Sequence, residues 1–177
     1  MNISDSDFTL FDVPATFSQD RVRLDARWKQ LQREAHPDRF AAQGAAAQRT
    51  AMQWSVRINE AYARLKDPLR RAAYLCELNG VPIDAERNTA MPPEFLMQQM
   101  EWRESLDEAI DAHEVRRVAA EVDEARLRTL AELAEAIDAR HDHAAAARLV
   151  RASMFFERFA QDLDARAEAL DTAARGQ

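Results

Sequence analysis

The residues His36, Pro37 and Asp38 place an imidazole and a carboxylate on one short turn of the chain. Proline cannot continue a helix and disfavours helical backbone at the residue before it, so a helix that runs through Leu31 and Ala35 must stop at His36. Both polar side chains can then face solvent and contact a partner. Since no catalytic partner stands beside them in the sequence, we interpret the turn as a binding element. The alternative is a helix terminator with two incidental polar neighbours.

The other residues that could do chemistry form weaker patterns. His141 and His143 resemble a pair of metal ligands, and with nearby carboxylates they would fit a small helical metal hydrolase. Residues two apart on a helix do not face each other, however, and this segment falls where one helix ends and the next begins, so we expect Asp142 to be an N-cap. The single cysteine, Cys76, continues an apolar helical stretch and is expected to be a buried thiol. The sequence has no glycine-rich phosphate loop and no Ser/His or Cys/His arrangement, so we predict no enzyme activity, no cofactor and no metal site.

Two helices must position the turn. In the first, about residues 20–35, the larger apolar residues recur with the spacing of one buried helical face. At about 100° per residue, Lys29 and Arg33 point to the opposite side and Arg27 lies on the flank, so a basic face leads into the turn. The second helix, about residues 45–65, contains the sequence Ile-Asn-Glu-Ala-Tyr and is followed by a Lys-Asp-Pro sequence at which another helix can start.

The composition predicts an all-α protein. Only three of the 177 residues are glycine, and alanine, leucine, arginine and glutamate are abundant. No run approaches the roughly 18 apolar residues needed to span a bilayer, and the N-terminus is acidic and polar, so we expect a soluble cytoplasmic protein that does not contact membranes. Residues 81–177 carry 12 basic and 21 acidic side chains, against 12 and 10 in residues 1–80. This acidic second half argues against a nucleic-acid partner.

The proline distribution predicts two domains. Residues 81–93 hold three of the six prolines and show little periodicity, which indicates a linker. Residues 1–80 then form the first domain and residues 94–177 the second. The second domain contains three helical stretches, and the last two carry apolar stripes at near-heptad spacing, so we predict a three-helix bundle. The three stretches are about residues 94–111, 114–139 and 143–171.

The first helix of the predicted bundle has two apolar sides. A second patch of Leu96, Met97 and Met100 lies about 100–140° from the core side, within an acidic arc. Either the first domain or the linker covers this patch, or it is a partner site whose flexible side chains suit an adaptable surface. Phe155 falls off the stripe of its own helix and need not be fully buried, which favours the partner site. The expected core side is Phe95, Trp102, Leu106, Ala109 and Ile110.

These features together resemble a known family. A basic helix, the sequence His36-Pro37-Asp38 and a helix with Ile-Asn-Glu-Ala-Tyr resemble a J-domain, which in that family docks on a DnaK-type chaperone ATPase and stimulates its ATP hydrolysis. Phe95-Leu96-Met97 and the run Arg103-Glu104-Ser105-Leu106-Asp107-Glu108 narrow the resemblance to the HscB-type J-domain co-chaperones of iron–sulfur cluster biogenesis. In these co-chaperones the second domain binds the scaffold protein IscU and presents it to the ATPase HscA.

The resemblance implies a co-chaperone that stimulates an HscA-type ATPase and delivers an IscU-type scaffold to it. A J-protein of similar fold that serves a different client is the alternative. Arg39 stands where J-domains usually have lysine, and Met100 where leucine is usual. The implied contacts with the ATPase are His36, Pro37, Asp38, Arg27, Lys29 and Arg33. The implied contacts with the scaffold are Leu96, Met97, Met100, Glu101, Glu104, Asp107, Glu108 and Phe155.

Overall fold

A computed structural model describes residues 2–83, 91 and 93–175, and every regular element among them is helical. Four α-helices and a 3₁₀ helix form the N-terminal half, and three α-helices form the C-terminal half. They are α1 (Asp7–Phe11), α2 (Arg21–Glu34), the 3₁₀ helix (Pro37–Gln43), α3 (Ala45–Lys66), α4 (Pro68–Leu78), α5 (Pro93–Glu108), α6 (Ala112–Ala134) and α7 (His143–Arg175). Between α6 and α7, Glu135–Ala139 form a π-helical segment.

Side-chain caps account for most of the helix starts. Asp20 accepts the N–H groups of the first turn of α2, and Asp67 caps α4, whose first residue is a proline. The expectation that Asp142 is an N-cap is confirmed, because its carboxylate accepts the N–H of Ala145 at 2.8 Å in the first turn of α7. Asp111 caps α6 and adopts an extended backbone conformation, so it cannot belong to α5, which ends at Glu108, three residues before the predicted end.

The N-terminal half is a helical hairpin with short helices packed on it. The hairpin is α2 and α3, and α1 and α4 both pack on α3. A buried ion pair ties α1 to the hairpin: the Asp7 carboxylate, with no exposed surface, lies 2.7 Å from Arg57 and 3.1 Å from Arg64. The Asp7 N–H also donates to the hydroxyl of Tyr74 in α4 at 3.1 Å.

The C-terminal half is a three-helix bundle, in which α5, α6 and α7 all contact one another. Its core contains an aromatic cluster, formed by Trp102 from α5 and three phenylalanines from α7. The prediction of a three-helix bundle is confirmed for the described residues, although α5 begins at Pro93 and α7 extends to Arg175. Most of the predicted linker, residues 84–90 and 92, lies outside the described residues. Among the described helices, none is both long enough and apolar enough to cross a membrane.

The larger hydrophobic core does not stop at the predicted domain boundary. It contains the buried residues of α1 to α4 together with a set from the end of α6, the π segment and the start of α7. The two halves therefore share one core where α4 packs on α7. The C-terminal contributors are Leu133, Ala136, Ile137, Ala146, Ala147 and Val150.

Candidate functional site

The turn of His36, Pro37 and Asp38, called the corner below, projects from the end of the hairpin. His36 has extended backbone angles and is the N-cap of the 3₁₀ helix, with Pro37 as its first residue. The Nδ1 atom of His36 accepts the N–H of Asp38 at 3.3 Å and lies 3.6 Å from the Asp38 carboxylate. The Asp38 side chain is 91% exposed and that of His36 55%, so both are accessible to a partner.

The residues Arg27, Lys29 and Arg33, called the basic face below, lie on α2 before the corner. Lys29 and Arg33 are exposed, and Arg27 is half-buried on the flank, as the helical spacing predicted. Arg39 does not extend this face. Its Nη1 atom donates to the carbonyl oxygen of Arg33 at 3.1 Å, which satisfies the last turn of α2 and places a positive charge at the negative end of the helix dipole.

A hydrogen-bonded layer between α2 and α3 fixes the direction of the basic face. The Asn59 side-chain oxygen accepts the Trp28 indole N–H at 3.0 Å and the Gln32 amide at 2.7 Å. One turn away, the Tyr62 hydroxyl donates to the Asp25 carboxylate at 2.7 Å, and the Tyr62 ring stacks on Trp28. This hydrogen bond lowers the pKa of Asp25 and raises the pKa of Tyr62. Because these contacts set the rotation of α2, the basic side chains point away from α3.

The second surface is one side of α5. Leu96 is 44% exposed, Met97 58% and Met100 70%, whereas Trp102 and Leu106 on the opposite side are buried. No described part of the chain covers the three apolar side chains. The described residues therefore do not support the interpretation that the first domain or the linker buries this patch. Four exposed carboxylates share this side of the helix, namely Glu101, Glu104, Asp107 and Glu108. The three apolar and four acidic residues together are called the α5 face below.

Two expectations about the bundle are wrong. Ile110, expected in the core, is 79% exposed, because α5 has already ended and Ile110 belongs to the non-helical segment before α6. Phe155, expected to be incompletely buried, is only 7% exposed. Its ring stacks on Trp102 and on Phe159. Since α7 packs against α5, α6 and α4, its buried arc is wider than the single stripe that the sequence pattern indicated.

Arg103, which belongs to the sequence run that resembles the HscB-type family but was assigned no contact, lies next to the α5 face. Its guanidinium carbon is 5.6 Å from the centroid of the Phe155 ring, so it covers the one phenylalanine that was assigned to the scaffold site. The signals in the sequence were its place in that run and a positive charge within an acidic helix. Phe155 can therefore influence a partner at the α5 face through Arg103 and through the packing of α5.

The histidines near the start of α7 do not form a metal centre in the described structure. His141 adopts a left-handed backbone conformation at the helix junction, and Asp142 is engaged as the N-cap of α7. No cluster of three or more His, Cys, Asp or Glu side chains with suitable geometry occurs within the described ranges.

Comparison with known proteins identifies relatives over almost the full length of the chain. Residues 91–164 match the model of the HSCB C-terminal oligomerisation domain. The Co-chaperone protein HscB homolog of Bordetella petrii is 50% identical over 163 residues, which cover 92% of this chain and 96% of the relative. That of Burkholderia multivorans is 50% identical over 176 residues, covering 97% of this chain and 99% of the relative.

Solved structures of such proteins share the fold. The crystal structure of the human co-chaperone protein HscB matches with a TM-score of 0.87 and 25% identity, covering 94% of this chain and 84% of the human one. The chaperone HscB from Vibrio cholerae matches with a TM-score of 0.81 and 32% identity, covering 94% of this chain and 99% of that one. Both similarities span the N-terminal and C-terminal halves.

Proposed function

Because the chain belongs to the HscB family of co-chaperones, we propose that it stimulates the ATPase of an HscA-type chaperone and delivers an IscU-type iron–sulfur scaffold protein to it. Its relatives are named co-chaperones and not enzymes. The proposed role is therefore to bring two proteins together, with ATP hydrolysis carried out by the chaperone. The cytoplasmic location expected from the sequence stays a prediction.

The N-terminal half supports the contact with the ATPase. The corner offers an exposed imidazole and an exposed carboxylate, and the basic face adds positive charge on the helix that leads to it. Such charges increase the association rate with an acidic surface and set the orientation of docking. The hydrogen bonds of Asn59 keep this charge directed at solvent.

The observation that carries the scaffold assignment is the exposure of Leu96, Met97 and Met100 on the side of α5 opposite its core. Three adjacent apolar side chains in water cost solvation free energy unless a partner covers them. Methionine suits such a surface because its side chain is flexible and polarisable. The acidic side chains around them favour a partner with a basic rim. We assign this partner as the scaffold protein.

The chain carries both the contact with the ATPase and the contact with the scaffold, which brings the two partners close together. A scaffold held at the α5 face has a high effective concentration at the ATPase docked on the corner, even when each contact alone is weak. The scaffold should then be presented as a client at the moment when ATP is hydrolysed.

Steady-state ATPase turnover of an HscA-type chaperone tests this proposal. The protein alone should raise turnover, and adding an IscU-type scaffold should raise it further. The double variant Leu96→Ala/Met97→Ala should keep the first effect and lose the second. Leu127→Ala is the matched control, since Leu127 is a similarly exposed apolar residue, 54% accessible, on α6. Stimulation without any effect of the scaffold would favour a J-protein for another client, and no stimulation at all would refute the proposal.

A further inference from the structure

A carboxylate of the bundle holds a loop of the N-terminal half. The two side-chain oxygens of Asp138 accept the backbone N–H groups of Phe17 at 2.6 Å and Ser18 at 2.9 Å. Phe17 and Ser18 lie between α1 and α2, about 120 residues earlier in the chain. Hydrogen bonds to an ionised carboxylate are stronger than those between neutral groups, and two of them define an orientation as well as a contact.

The same loop is held from its own side by Arg71 of α4. The Nε atom of this buried arginine donates to the carbonyl oxygen of Phe17 at 2.7 Å, and its guanidinium carbon lies 5.2 Å from the centroid of the Phe17 ring. Arg71 also donates to the carbonyl oxygen of Leu65 at the end of α3. The backbone of Phe17 is therefore fixed between Arg71 and the Asp138 carboxylate.

The π-helical segment explains how Asp138 reaches this loop. A π turn contains an extra residue, so it rotates the side chains that follow relative to a continuous α-helix. The hydrogen bond from the Arg140 N–H to the carbonyl oxygen of Glu135, at 3.0 Å, is of this wider type. Within the segment Ala136 and Ile137 enter the shared core, and Asp138 faces the loop.

Other contacts tie α7 to the start of the predicted linker and to α4 elsewhere on the shared core. The guanidinium of Arg151 in α7 donates to the carbonyl oxygen of Ile83 at 2.9 Å. The Cys76 thiol of α4 lies 3.5 Å from the carbonyl oxygen of His143. These contacts and the packing of α4 on α7 limit rotation between the halves, and Asp138 adds a directional tie through a different loop.

We propose that Asp138 is a positioning residue that locks the corner and the α5 face in one mutual orientation, and that this lock is needed for a bound scaffold to increase ATPase stimulation. The inference rests on the proposed function and deepens it. A rigid connection orients the two partners before they bind, so little orientational entropy is lost on binding. A loose connection loses that entropy when the ternary complex forms. Asp138 itself contacts neither partner surface.

The test compares Asp138→Ala, which removes both acceptors, with Asp138→Asn, which keeps one neutral acceptor oxygen. Glu135→Ala is the matched control, because Glu135 is an exposed carboxylate of the same π segment and pairs only with nearby Arg140 among its described ion pairs. Circular dichroism and thermal melts of each variant show whether it is folded. NMR spectra report the amide protons of Phe17 and Ser18, and residual dipolar couplings report the relative orientation of the two halves.

In Asp138→Ala the two amide protons should shift upfield, and the couplings of the two halves should no longer fit one rigid orientation. Basal ATPase stimulation and scaffold affinity should stay close to the wild type. The additional stimulation by scaffold should fall about threefold or more, within the roughly 2- to 30-fold range by which mutations change coupling between sites. Asp138→Asn should be intermediate and Glu135→Ala unchanged.

An unchanged orientation in Asp138→Ala, or a scaffold effect as large as that of Glu135→Ala, would overturn the inference. Should Asp138→Ala fail to fold, the same comparison is made with Asp138→Asn. A wild-type protein that shows no scaffold effect would instead refute the proposed function and, with it, the role of the lock in coupling. The NMR couplings would then still decide whether Asp138 fixes the orientation of the two halves.

Discussion

The indole of Trp102 and the ring of Phe155 lie nearly parallel, with 6.0 Å between their centroids and an interplanar angle of 16°. Trp102 lies on the buried side of α5, and its indole packs against the ring of Phe155 in α7. The exposed Leu96 and Met97 lie on the other side of the same helix. Phe155 therefore packs behind the α5 face. A substitution of Phe155 should change partner binding by moving α5.

This arrangement predicts different stability costs for residues assigned to one site. Phe155→Ala should lower the free energy of unfolding by about 3–5 kcal/mol, the usual cost of truncating a buried phenylalanine. Leu96→Ala and Met97→Ala should each lower it by less than about 1 kcal/mol, since their side chains are largely in solvent. Urea unfolding followed by circular dichroism measures the three values. Equal costs for Phe155→Ala and Met97→Ala would contradict this separation.

His36→Gln should leave the protein folded and abolish its stimulation of the ATPase. The imidazole is exposed, and the local contacts that the substitution affects are the 3.3 Å hydrogen bond to the Asp38 N–H and the 3.6 Å approach to the exposed Asp38 carboxylate, so the melting temperature should change little. Turnover assays and thermal melts are compared with those of His113→Gln, which alters an exposed histidine in the bundle. A variant that stimulates normally, or one that unfolds, would mean that the role of the corner is misassigned.

Charge reversal on the basic face should weaken docking on the ATPase. Lys29→Glu and Arg33→Glu each replace an exposed positive charge, and wild-type docking should itself weaken as salt rises, because exposed charges are screened within about 10 Å at ~0.1 M ionic strength. Surface plasmon resonance at several salt concentrations measures both effects. Arg148→Glu makes the same change at an exposed position of α7 and should bind normally. Affinity that does not depend on salt would exclude an electrostatic contact here.

Stability should fall at alkaline pH because of Cys76. Burial, with a smaller contribution from Glu77, raises the pKa of this thiol from 9.0 to about 11. Above pH 9 the thiol ionises in the unfolded chain but not in the native protein, so the unfolded state is favoured until the native thiol ionises as well. The loss due to this group should reach roughly 2 kcal/mol between about pH 8 and about pH 10.5.

Denaturant unfolding of the wild type and Cys76→Ala at about pH 8 and about pH 10.5 separates the contribution of the Cys76 thiol from that of the other ionising groups. Between these pH values the free energy of unfolding of the wild type should fall by roughly 2 kcal/mol more than that of Cys76→Ala. A difference that is independent of pH would show that the thiol titrates alike in both states.

Local patterns in the sequence were sufficient for the features that depend on one segment. The corner follows from the effect of Pro37 on its neighbours, and the direction of Lys29 and Arg33 follows from helical periodicity. The two apolar sides of α5 follow from the same periodicity, because a rotation of about 100° per residue assigns each side chain to one side of the helix. For Leu96, Met97 and Met100, the exposure in the structure agrees with the second patch that this phase predicted.

The sequence alone determined that the protein is helical, where the corner lies and that Leu96, Met97 and Met100 share a second side of α5. Tertiary structure decided the features that depend on which helices meet. Phe155 is buried because α7 packs against several helices, so one apolar stripe underestimates its buried arc. The contact between Asp138 and Phe17 depends on a π turn and on a core shared between the two halves. Neither leaves a periodic signal, because packing between distant segments is set by the combined shape of their surfaces and not by spacing along the chain.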